Sequence, residues 1–298
     1  MDLRKILVIG ASGYVGKNVC LALAANGFRV IAASRSCIGL QHPSIESVRS
    51  PDLEDASADW TRLFNGVDVA IHAAGMVHGD VDDPRHEAVN YKSILKLIAG
   101  ASAAGVSRFV YISSLAAQSA SFSKTVLTED DEPKPINAYG RAKLAAERAI
   151  RQSELQYTIL RPVVIYGAGA KGNLALLERL SNLRIPLPFG DLDAARSILS
   201  IDNLIGAILS VIQSSDAAFQ TYLVADPIPL SVKQIVSRIR RSKKRRTLLF
   251  PIPSSLLKAV LYALNQRRAW ERIGEPLVVS CDRLISIGWK PNTRSFYS

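Results

Sequence analysis

Tyr139 and Lys143 are the residues of this sequence whose types and spacing most clearly suggest chemistry. They lie four positions apart in Tyr139-Gly-Arg-Ala-Lys143, within a segment whose pattern predicts a helix. Residues four apart share one helix face, so the phenol and the ammonium group can point into the same cleft. The pair therefore predicts a tyrosine that acts as a general acid or base.

A serine pair, Ser113-Ser114, ends an apolar segment about 25 residues before Tyr139. A hydroxyl at the end of a strand can hydrogen-bond to a carbonyl or hydroxyl group that is being interconverted. Tyrosine and lysine four apart are ordinary on an exposed helix, and it is the serine pair together with a glycine-rich turn upstream that makes this a site. Ser114, Tyr139 and Lys143 are predicted to be the catalytic residues.

The glycine-rich turn is Gly10-Ala-Ser-Gly13-Tyr-Val-Gly16, between the apolar run Ile6–Ile9 and a helical pattern. Such a strand can turn sharply, bring its backbone close to a pyrophosphate and present the positive end of the next helix to it. The sequence therefore predicts a dinucleotide site whose first contacts are Gly10, Ser12, Gly13, Tyr14, Val15 and Gly16.

With a nicotinamide cofactor, Tyr139 would pass a proton while hydride moves to or from the ring, and Ser114 would hydrogen-bond to the reacting oxygen. Lys143 and the positive ring of the oxidised cofactor together favour the phenolate. They should lower the pKa of Tyr139 from about 10 toward neutrality.

The end of the second predicted strand bears on the choice of cofactor. An acidic residue about 20 positions after the glycine turn normally binds the ribose 2′-hydroxyl of NAD, but this segment reads Ala33-Ser34-Arg35-Ser36. Serine and arginine suit a 2′-phosphate, so NADPH is favoured over NADH, with Arg35 as a cofactor contact. The alternative is that Arg35 stacks on the adenine or faces water.

Apolar runs alternate with helical patterns up to residue 160, which predicts an α/β fold built on a doubly wound parallel sheet. Prolines then break the pattern after Arg161-Pro162, which suits a smaller lobe. We expect a dinucleotide-binding domain over 1–162 and a substrate-binding lobe over 163–298, with possible chain exchange between them. The predicted strands are Lys5–Ile9, Arg29–Ala33, Ile45–Arg49, Val67–His72, Arg108–Ser113 and Gln156–Leu160, and the predicted helices Tyr14–Asn26, Ala56–Asn65, Pro84–Ala104 and Ala138–Ser153.

The 298 residues carry a formal charge of +11, and a large share of the excess lies in Arg238–Arg246. This run is either a solvated helix end or a patch that holds the protein weakly at anionic lipid, helped by the amphipathic segment Ser254–Asn265. Aromatic residues are not interleaved with the basic ones, which argues against a nucleic-acid partner.

Charges interrupt every apolar stretch before membrane-spanning length, and the first strand begins within a few residues of Met1. Neither a membrane span nor a signal peptide is therefore expected, and the predicted location is cytoplasmic. The three cysteines are far apart and lack the spacing of metal ligands, so neither a disulfide framework nor a metal site is predicted.

The chain resembles the extended short-chain dehydrogenase/reductase family, of the NAD-dependent epimerase/dehydratase type. Besides the segments above, Asp52-Leu53, Ile71-His-Ala-Ala-Gly75, Asn90 and Arg161-Pro-Val-Val-Ile-Tyr-Gly167 match its landmarks in order. The resemblance implies a Rossmann-type sheet and Ser114, Tyr139 and Lys143 as a catalytic triad. It also implies cofactor contacts at Asp52 and Leu53 beside the adenine, at Ala73, Ala74, Gly75 and Asn90, and at Pro162 near the nicotinamide.

Within this family, dehydratases carry an acidic pair after the catalytic serine or threonine, whereas this chain has Leu115-Ala116. The resemblance also implies substrate contacts at Asn173 and Leu174 on a phosphate, at Phe189 on a uracil, and at Arg196 on the diphosphate. Structural alternatives are Asn173 as a helix cap, Phe189 as a core residue and Arg196 as a partner of Asp202.

The segments Leu187–Gly190 and Arg196–Leu204 resemble most those of bacterial reductases of UDP-linked 4-keto-6-deoxy-N-acetylhexoses. With the non-acidic end of the second strand, this resemblance implies a reductase that delivers hydride to the 4-keto group of such a sugar for surface polysaccharide synthesis. The first alternative is a 4-epimerase of UDP-glucose or UDP-GlcNAc. The second is a non-catalytic dinucleotide sensor. A homodimer formed through the helices Pro84–Ala104 and Ala138–Ser153 is a further possibility, as in relatives of this type.

Overall fold

The computed structural model describes residues 4–36, 39–55, 57–76, 85–170 and 173–293, with side chains except at positions 173 and 175. Its centre is a seven-stranded parallel sheet of order β3-β2-β1-β4-β5-β6-β9. The order reverses between β1 and β4, which is where doubly wound sheets open a ligand crevice. The strands are β1 (Lys5–Ile9), β2 (Arg29–Ser34), β3 (Ile45–Arg49), β4 (Val69–His72), β5 (Arg108–Ile112), β6 (Tyr157–Pro162), β7 (Val164–Tyr166), β8 (Ile198–Ser200) and β9 (Gln220–Val224).

Helices cover both faces of this sheet, so the predicted α/β doubly wound fold is confirmed. Side chains of α1 and α6 pack in one apolar cluster with β1 and β6, and those of α3 and α4 pack in a second cluster on the other face. The helices are α1 (Tyr14–Ala25), α2 (Arg85–Glu87), α3 (Ser93–Ala103), α4 (Ala138–Gln152), α5 (Asn173–Ser181), α6 (Ile201–Gln213), α7 (Val232–Ser242), α8 (Ser254–Ala263), α9 (Arg267–Ile273) and α10 (Asp282–Ser286).

Strand register brings the candidate residues to one edge of the sheet. Ile9 pairs with Ala33 on one side and with His72 on the other, and His72 pairs with Tyr111. The residues that follow these strands therefore meet at the carboxyl edge. The glycine turn, the 73–76 loop and the serine pair all start there.

The C-terminal half supplies both a small lobe and a strand of the main sheet. β7 and β8 form a separate two-stranded sheet, and α5, α7 and α9 pack with the 187–192 segment around their own apolar cluster. β9 pairs with β6 in the main sheet. The chain thus returns to the first layer after building the lobe, while the domain limits at 162 and 163 stay a prediction.

Two predicted helices need correction. Within the described residues 57–65 the structure has only a 3₁₀ turn, Thr61–Phe64. The Asp55 and Asp59 carboxylates accept hydrogen bonds from the backbone N–H groups of Ser57 and Thr61 and so favour local turns. The predicted helix over 84–104 contains a π turn, Ala88–Lys92, between α2 and α3. Ala56 and Pro84 themselves lie outside the described residues.

Candidate active site

Ser114, Tyr139 and Lys143 come together at the carboxyl edge of the sheet, as predicted. Ser114 begins a 3₁₀ turn directly after β5, and its Oγ accepts a hydrogen bond from the Ala116 N–H at 3.2 Å. The Ser114 hydroxyl lies close enough to the Tyr139 phenol to favour its ionised form and so partly offset the rise in its pKa. Two hydroxyl groups suited to one reacting oxygen thus lie close together.

A close backbone approach sets this contact. Asn137 caps α4 through a 2.7 Å hydrogen bond from Gly140 N–H to its Oδ1. A Cβ atom on Gly140 would lie 2.1 Å from the Ala116 carbonyl oxygen, so only glycine lets the first turn of α4 meet the turn after Ser114. Tyr139 is held against Ser114 as a result.

Lys143 is buried and directs its ammonium group toward the 73–76 loop. Its Nζ donates to the Ile112 carbonyl at 3.0 Å and lies 4.7 Å from the centroid of the Tyr111 ring. A Cβ atom on Gly75 would be 3.3 Å from Nζ. Burial lowers the pKa of Lys143 to about 8, against the opposing charge of Glu147.

The protein's own groups do not lower the pKa of Tyr139, and the expected lowering, which includes the charge of an oxidised cofactor, stays a prediction. Burial raises the pKa of the Tyr139 phenol above its usual value, and the hydrogen bond with Ser114 only partly opposes this shift. The Lys143 ammonium group is held by the Ile112 carbonyl instead. The four-residue spacing places both side chains on one face of α4, but the Tyr139 phenol and the Lys143 ammonium group have different partners.

The glycine turn has the shape that a pyrophosphate needs. Gly10 has a φ of +90°, and a Cβ atom there would lie within 2.7 Å of Ala74. On Gly16 it would lie 2.2 Å from the Gly10 carbonyl oxygen. Gly13 is the N-cap of α1, whose first turn contains no acidic residue, so backbone N–H groups and the helix dipole suit an anion there. The turn fits a dinucleotide.

Asn90 shapes the neighbouring loop. Its Oδ1 accepts from the Met76 N–H, and its Nδ2 donates to the Met76 carbonyl, both at 3.0 Å. Ala73 N–H donates to the Ile9 carbonyl at 2.9 Å, which ties the loop to β1. Asn90 therefore fixes the backbone that carries Ala73, Ala74 and Gly75 beside Lys143.

Arg35 at the end of β2 is paired with Asp52. The Arg35 Nη1 atom lies 3.1 Å from Asp52 Oδ2, and both side chains are exposed. Hydrogen bonds from the Glu54 backbone and from Arg35 lower the pKa of Asp52. The guanidinium group expected for a 2′-phosphate thus already faces a carboxylate. Leu53 packs on the α3 side of the sheet.

Other predicted cofactor residues also lie near this edge. Val15 packs on the α1 side of the sheet, and Pro162 ends β6 opposite Val224. Tyr14 lies beside the loop after β7, since a Cβ atom on Gly167 would be 2.4 Å from its hydroxyl. Ser12 is exposed in the glycine turn. Their contacts with a cofactor stay a prediction.

Among the predicted substrate residues, Arg196 is hydrogen-bonded to backbone carbonyls of other segments, and its contact with a diphosphate stays a prediction. Its guanidinium group donates to the backbone carbonyls of Ser121, Glu271 and Glu275 and so links the 121 loop to the C-terminal segment, rather than pairing with Asp202. Burial, with the nearby charge of Arg272, lowers the pKa of Arg196 to about 10.

The other substrate candidates lie in the lobe. Phe189 is only 9 % exposed and belongs to the lobe core, which is the structural alternative for this residue. Leu174 packs at the edge of the same cluster. Asn173 is the first residue of α5, and its side chain is outside the described part.

Sequence reasoning missed several residues that support the site. Glu147 lies one turn after Lys143 on the buried face of α4, and a charged residue in that apolar pattern was a usable signal. His86, on α2, packs its ring edge-on against Tyr139 with centroids 5.8 Å apart. Nothing in the local sequence indicates this contact, because His86 and Tyr139 are far apart along the chain.

His72 is buried, stacks on Tyr111 and is kept neutral by its surroundings. Burial, with the Lys143 charge, lowers its pKa to about 3. Over the described ranges no group of three or more His, Cys, Asp or Glu residues could hold a metal ion. Within the same ranges, every helix is too short or too polar to cross a bilayer.

Comparisons with known proteins agree with this geometry. A UDP-glucose 4-epimerase of Vibrio cholerae is 28% identical, covering 97% of this chain and 91% of its own. An N-acetyl-α-D-glucosaminyl-diphospho-ditrans,octacis-undecaprenol 4-epimerase of Escherichia coli O157:H7 is 26% identical, covering 85% and 77%. The crystal structure of a UDP-glucuronic acid 4-epimerase from Bacillus cereus with NAD superposes with a TM-score of 0.77 at 17% identity, covering 98% and 96%. Residues 6–225 match the family described as NAD dependent epimerase/dehydratase, and this chain belongs to that family.

Proposed function

We propose that this protein is a 4-epimerase of a UDP-linked hexose that works with a retained nicotinamide dinucleotide. The observation that carries the proposal is the meeting of the turn after Ser114 with the first turn of α4, which carries Tyr139 and Lys143, at the carboxyl edge of the sheet beside the glycine turn. A relative that spans 97% of the chain is named a UDP-glucose 4-epimerase, which supports the substrate and the reaction.

The cofactor would lie across the switch point between β1 and β4. The 10–16 turn would hold its pyrophosphate, Asp52 and Leu53 would flank the adenine, and Lys143 with the 73–75 loop would hold the nicotinamide ribose. When bound, the oxidised cofactor supplies a hydride acceptor and a positive charge.

Tyr139 would carry out the proton transfer, and Ser114 would assist it through a hydrogen bond. In the oxidative half, Tyr139 as phenolate takes the proton of the C4 hydroxyl while Ser114 donates a hydrogen bond to the same oxygen. In the reductive half, once the 4-keto sugar presents its other face, Tyr139 would return the proton to the same oxygen while C4 regains hydride on that opposite face, which inverts the C4 configuration. Burial favours the protonated phenol, so the oxidative half depends on nearby positive charge.

Reduction of a UDP-linked 4-keto sugar with NADPH is the second candidate. The Ser34-Arg35 sequence at the end of β2 favours it. The Arg35–Asp52 pair weighs against it, because a 2′-phosphate would compete with the carboxylate for the guanidinium group. The preference for NADPH and the reductase activity remain the rival proposal, and a demonstration of epimerase activity would exclude them.

The deciding experiment supplies substrate without cofactor. Purified protein is incubated with UDP-glucose, with UDP-GlcNAc and with polyprenyl-diphosphate-linked GlcNAc, the last because one relative is named for such a substrate. Formation of a C4 epimer supports the epimerase. Turnover that requires both added NADPH and a 4-keto sugar nucleotide supports the reductase.

The same assay is repeated with Tyr139→Phe, and with Tyr157→Phe as a control, since Tyr157 lies at the start of β6. Equal activity in all three proteins would remove Tyr139 from the proposed chemistry, and no conversion of any substrate would favour a dinucleotide sensor without chemistry. Analysis of the nucleotide released on denaturation shows whether NAD or NADP is carried.

A further inference from the structure

The outer face of α8 carries an exposed apolar stripe. Leu257 and Leu261 pack at the edge of the lobe core, whereas Leu256, Val260 and Leu264, each four residues apart, are 56 %, 46 % and 64 % exposed. The apolar face of this helix is therefore wider than the core that it covers. Contiguous large apolar side chains on a surface mark a docking site.

Two neighbouring loops extend this apolar surface. The buried guanidinium group of Arg240 donates to the carbonyls of Leu183, Ile185 and Leu248, so the 183–185 and 247–248 segments are held side by side. The side chains of these three residues are exposed. Leu249, Leu257 and Leu261 pack against the same lobe core cluster, so these loops and α8 cover one core.

Basic side chains border the same surface. Arg241 lies in the last turn of α7, and Lys244 and Arg246 follow its end. All three are exposed, and no ion-pair partner is found for them within the described part of the chain. Lys243 is paired with Glu178. Arg268, just beyond α8, is also exposed. The segment that leads into the exposed Leu248 therefore carries positive charge for which the described part of the chain provides no paired acid.

We propose that this lipid-facing surface, formed by α8 and the 183–185 and 241–248 loops, docks on a bilayer that contains anionic headgroups. Apolar side chains bordered by uncompensated cations match the chemistry of that interface, where acyl chains lie beneath negative charge. The surface lies on the outside of the lobe, and the proposal stands whether or not the site acts on UDP-sugars.

The test is co-sedimentation of the full chain with vesicles. Vesicles of phosphatidylcholine alone are compared with equimolar phosphatidylcholine and phosphatidylglycerol, each at low and high salt. We expect binding to the anionic vesicles at least about tenfold tighter than to the neutral ones, and weakened by salt. Equal or absent binding to both would overturn the proposal.

Two variants separate the apolar and the charged contributions. Leu256→Ser with Val260→Ser, and Arg241→Gln with Lys244→Gln and Arg246→Gln, should each weaken binding to the anionic vesicles by about tenfold or more. Their matched controls remove equal apolar side chains and equal charge elsewhere: Leu95→Ser with Ile285→Ser, and Arg62→Gln with Arg148→Gln and Lys290→Gln. The controls should bind as the parent does.

Light scattering without lipid tests the alternative that a second copy of this chain, rather than a bilayer, covers this surface. A dimer that Leu256→Ser with Val260→Ser converts to monomers would assign the surface to self-association and overturn the proposal. Equal loss of vesicle binding in the charge variant and its control would mean that net charge alone is responsible, which would also overturn it. Circular dichroism verifies that every variant is folded.

Discussion

The Glu147 carboxylate and the Arg161 guanidinium group form a bidentate pair that is almost fully buried beneath the candidate catalytic helix. Arg161 Nε lies 3.0 Å from Glu147 Oε1, and Nη2 lies 2.6 Å from Oε2. Ser113, next to Ser114, donates to Glu147 Oε1 at 2.6 Å. The pair therefore links α4, β6 and the end of β5, the three elements that surround the catalytic hydroxyl groups.

Glu147→Gln should destabilise the protein, because it leaves the Arg161 charge buried without its counter-charge. We expect the free energy of unfolding to fall by roughly 3–5 kcal/mol, measured from urea unfolding curves. Arg148→Gln, at the exposed neighbouring position, should change it by less than about 0.5 kcal/mol. Equal curves for both variants would contradict this account of the pair.

Tyr139→Phe should lower the turnover rate by about 10²–10⁴-fold, the usual contribution of a positioned general acid or base. The phenyl ring keeps the contact with His86, so the melting temperature and the affinity for NAD should change little. Steady-state kinetics and a thermal scan check both parts. A variant that retains more than a tenth of the parent rate would remove Tyr139 from the mechanism.

Affinity for NAD should fall as the pH rises above about 8. The pKa of Lys143 is lowered to about 8, so its ammonium group loses the proton through that range. If the cation holds the cofactor, the dissociation constant of NAD rises with pH there. Fluorescence titration of cofactor binding from pH 6 to pH 10 measures this. Lys143→Gln should bind weakly at every pH, and a Lys143→Gln profile identical to that of the parent would refute the role.

Gly140→Ala should reduce both stability and activity. The added methyl group meets the Ala116 carbonyl oxygen and pushes α4 away from the turn after Ser114. Overpacking of this kind costs about 1–3 kcal/mol, and separation of Tyr139 from Ser114 should lower the turnover rate. Gly39→Ala is the control, because nothing lies within 4 Å of the added atom there. Unaltered turnover in Gly140→Ala would show that the close approach does not position Tyr139.

Asp52→Asn should shift cofactor preference toward NADP. Removal of the carboxylate frees the Arg35 guanidinium group for a 2′-phosphate, and because the pair is exposed the change in the ratio of dissociation constants should be modest, roughly two- to fivefold. Calorimetric titration with NAD and with NADP measures the ratio, with Glu54→Gln as the control. A shift toward NAD would show that Arg35 does not face the 2′ position.

The local sequence was sufficient to predict features that form within a single helix, strand or turn. The glycine turn and the shared helix face of Tyr139 and Lys143 depend on spacing within a few residues, and the structure has both of them. The alternation of apolar runs gave the parallel sheet, because strands buried on both faces must be apolar along their length.

Only the tertiary structure determined which partner the polar group of each side chain contacts. Lys143 and Ile112 meet across two elements, as do Glu147 and Arg161, and Arg196 binds carbonyls from segments far along the chain. Spacing fixes the face on which a side chain lies, but the partner beyond that face comes from another element. Burial raised the pKa of Tyr139 for the same reason, since the cost of removing a charge from water depends on what packs around it.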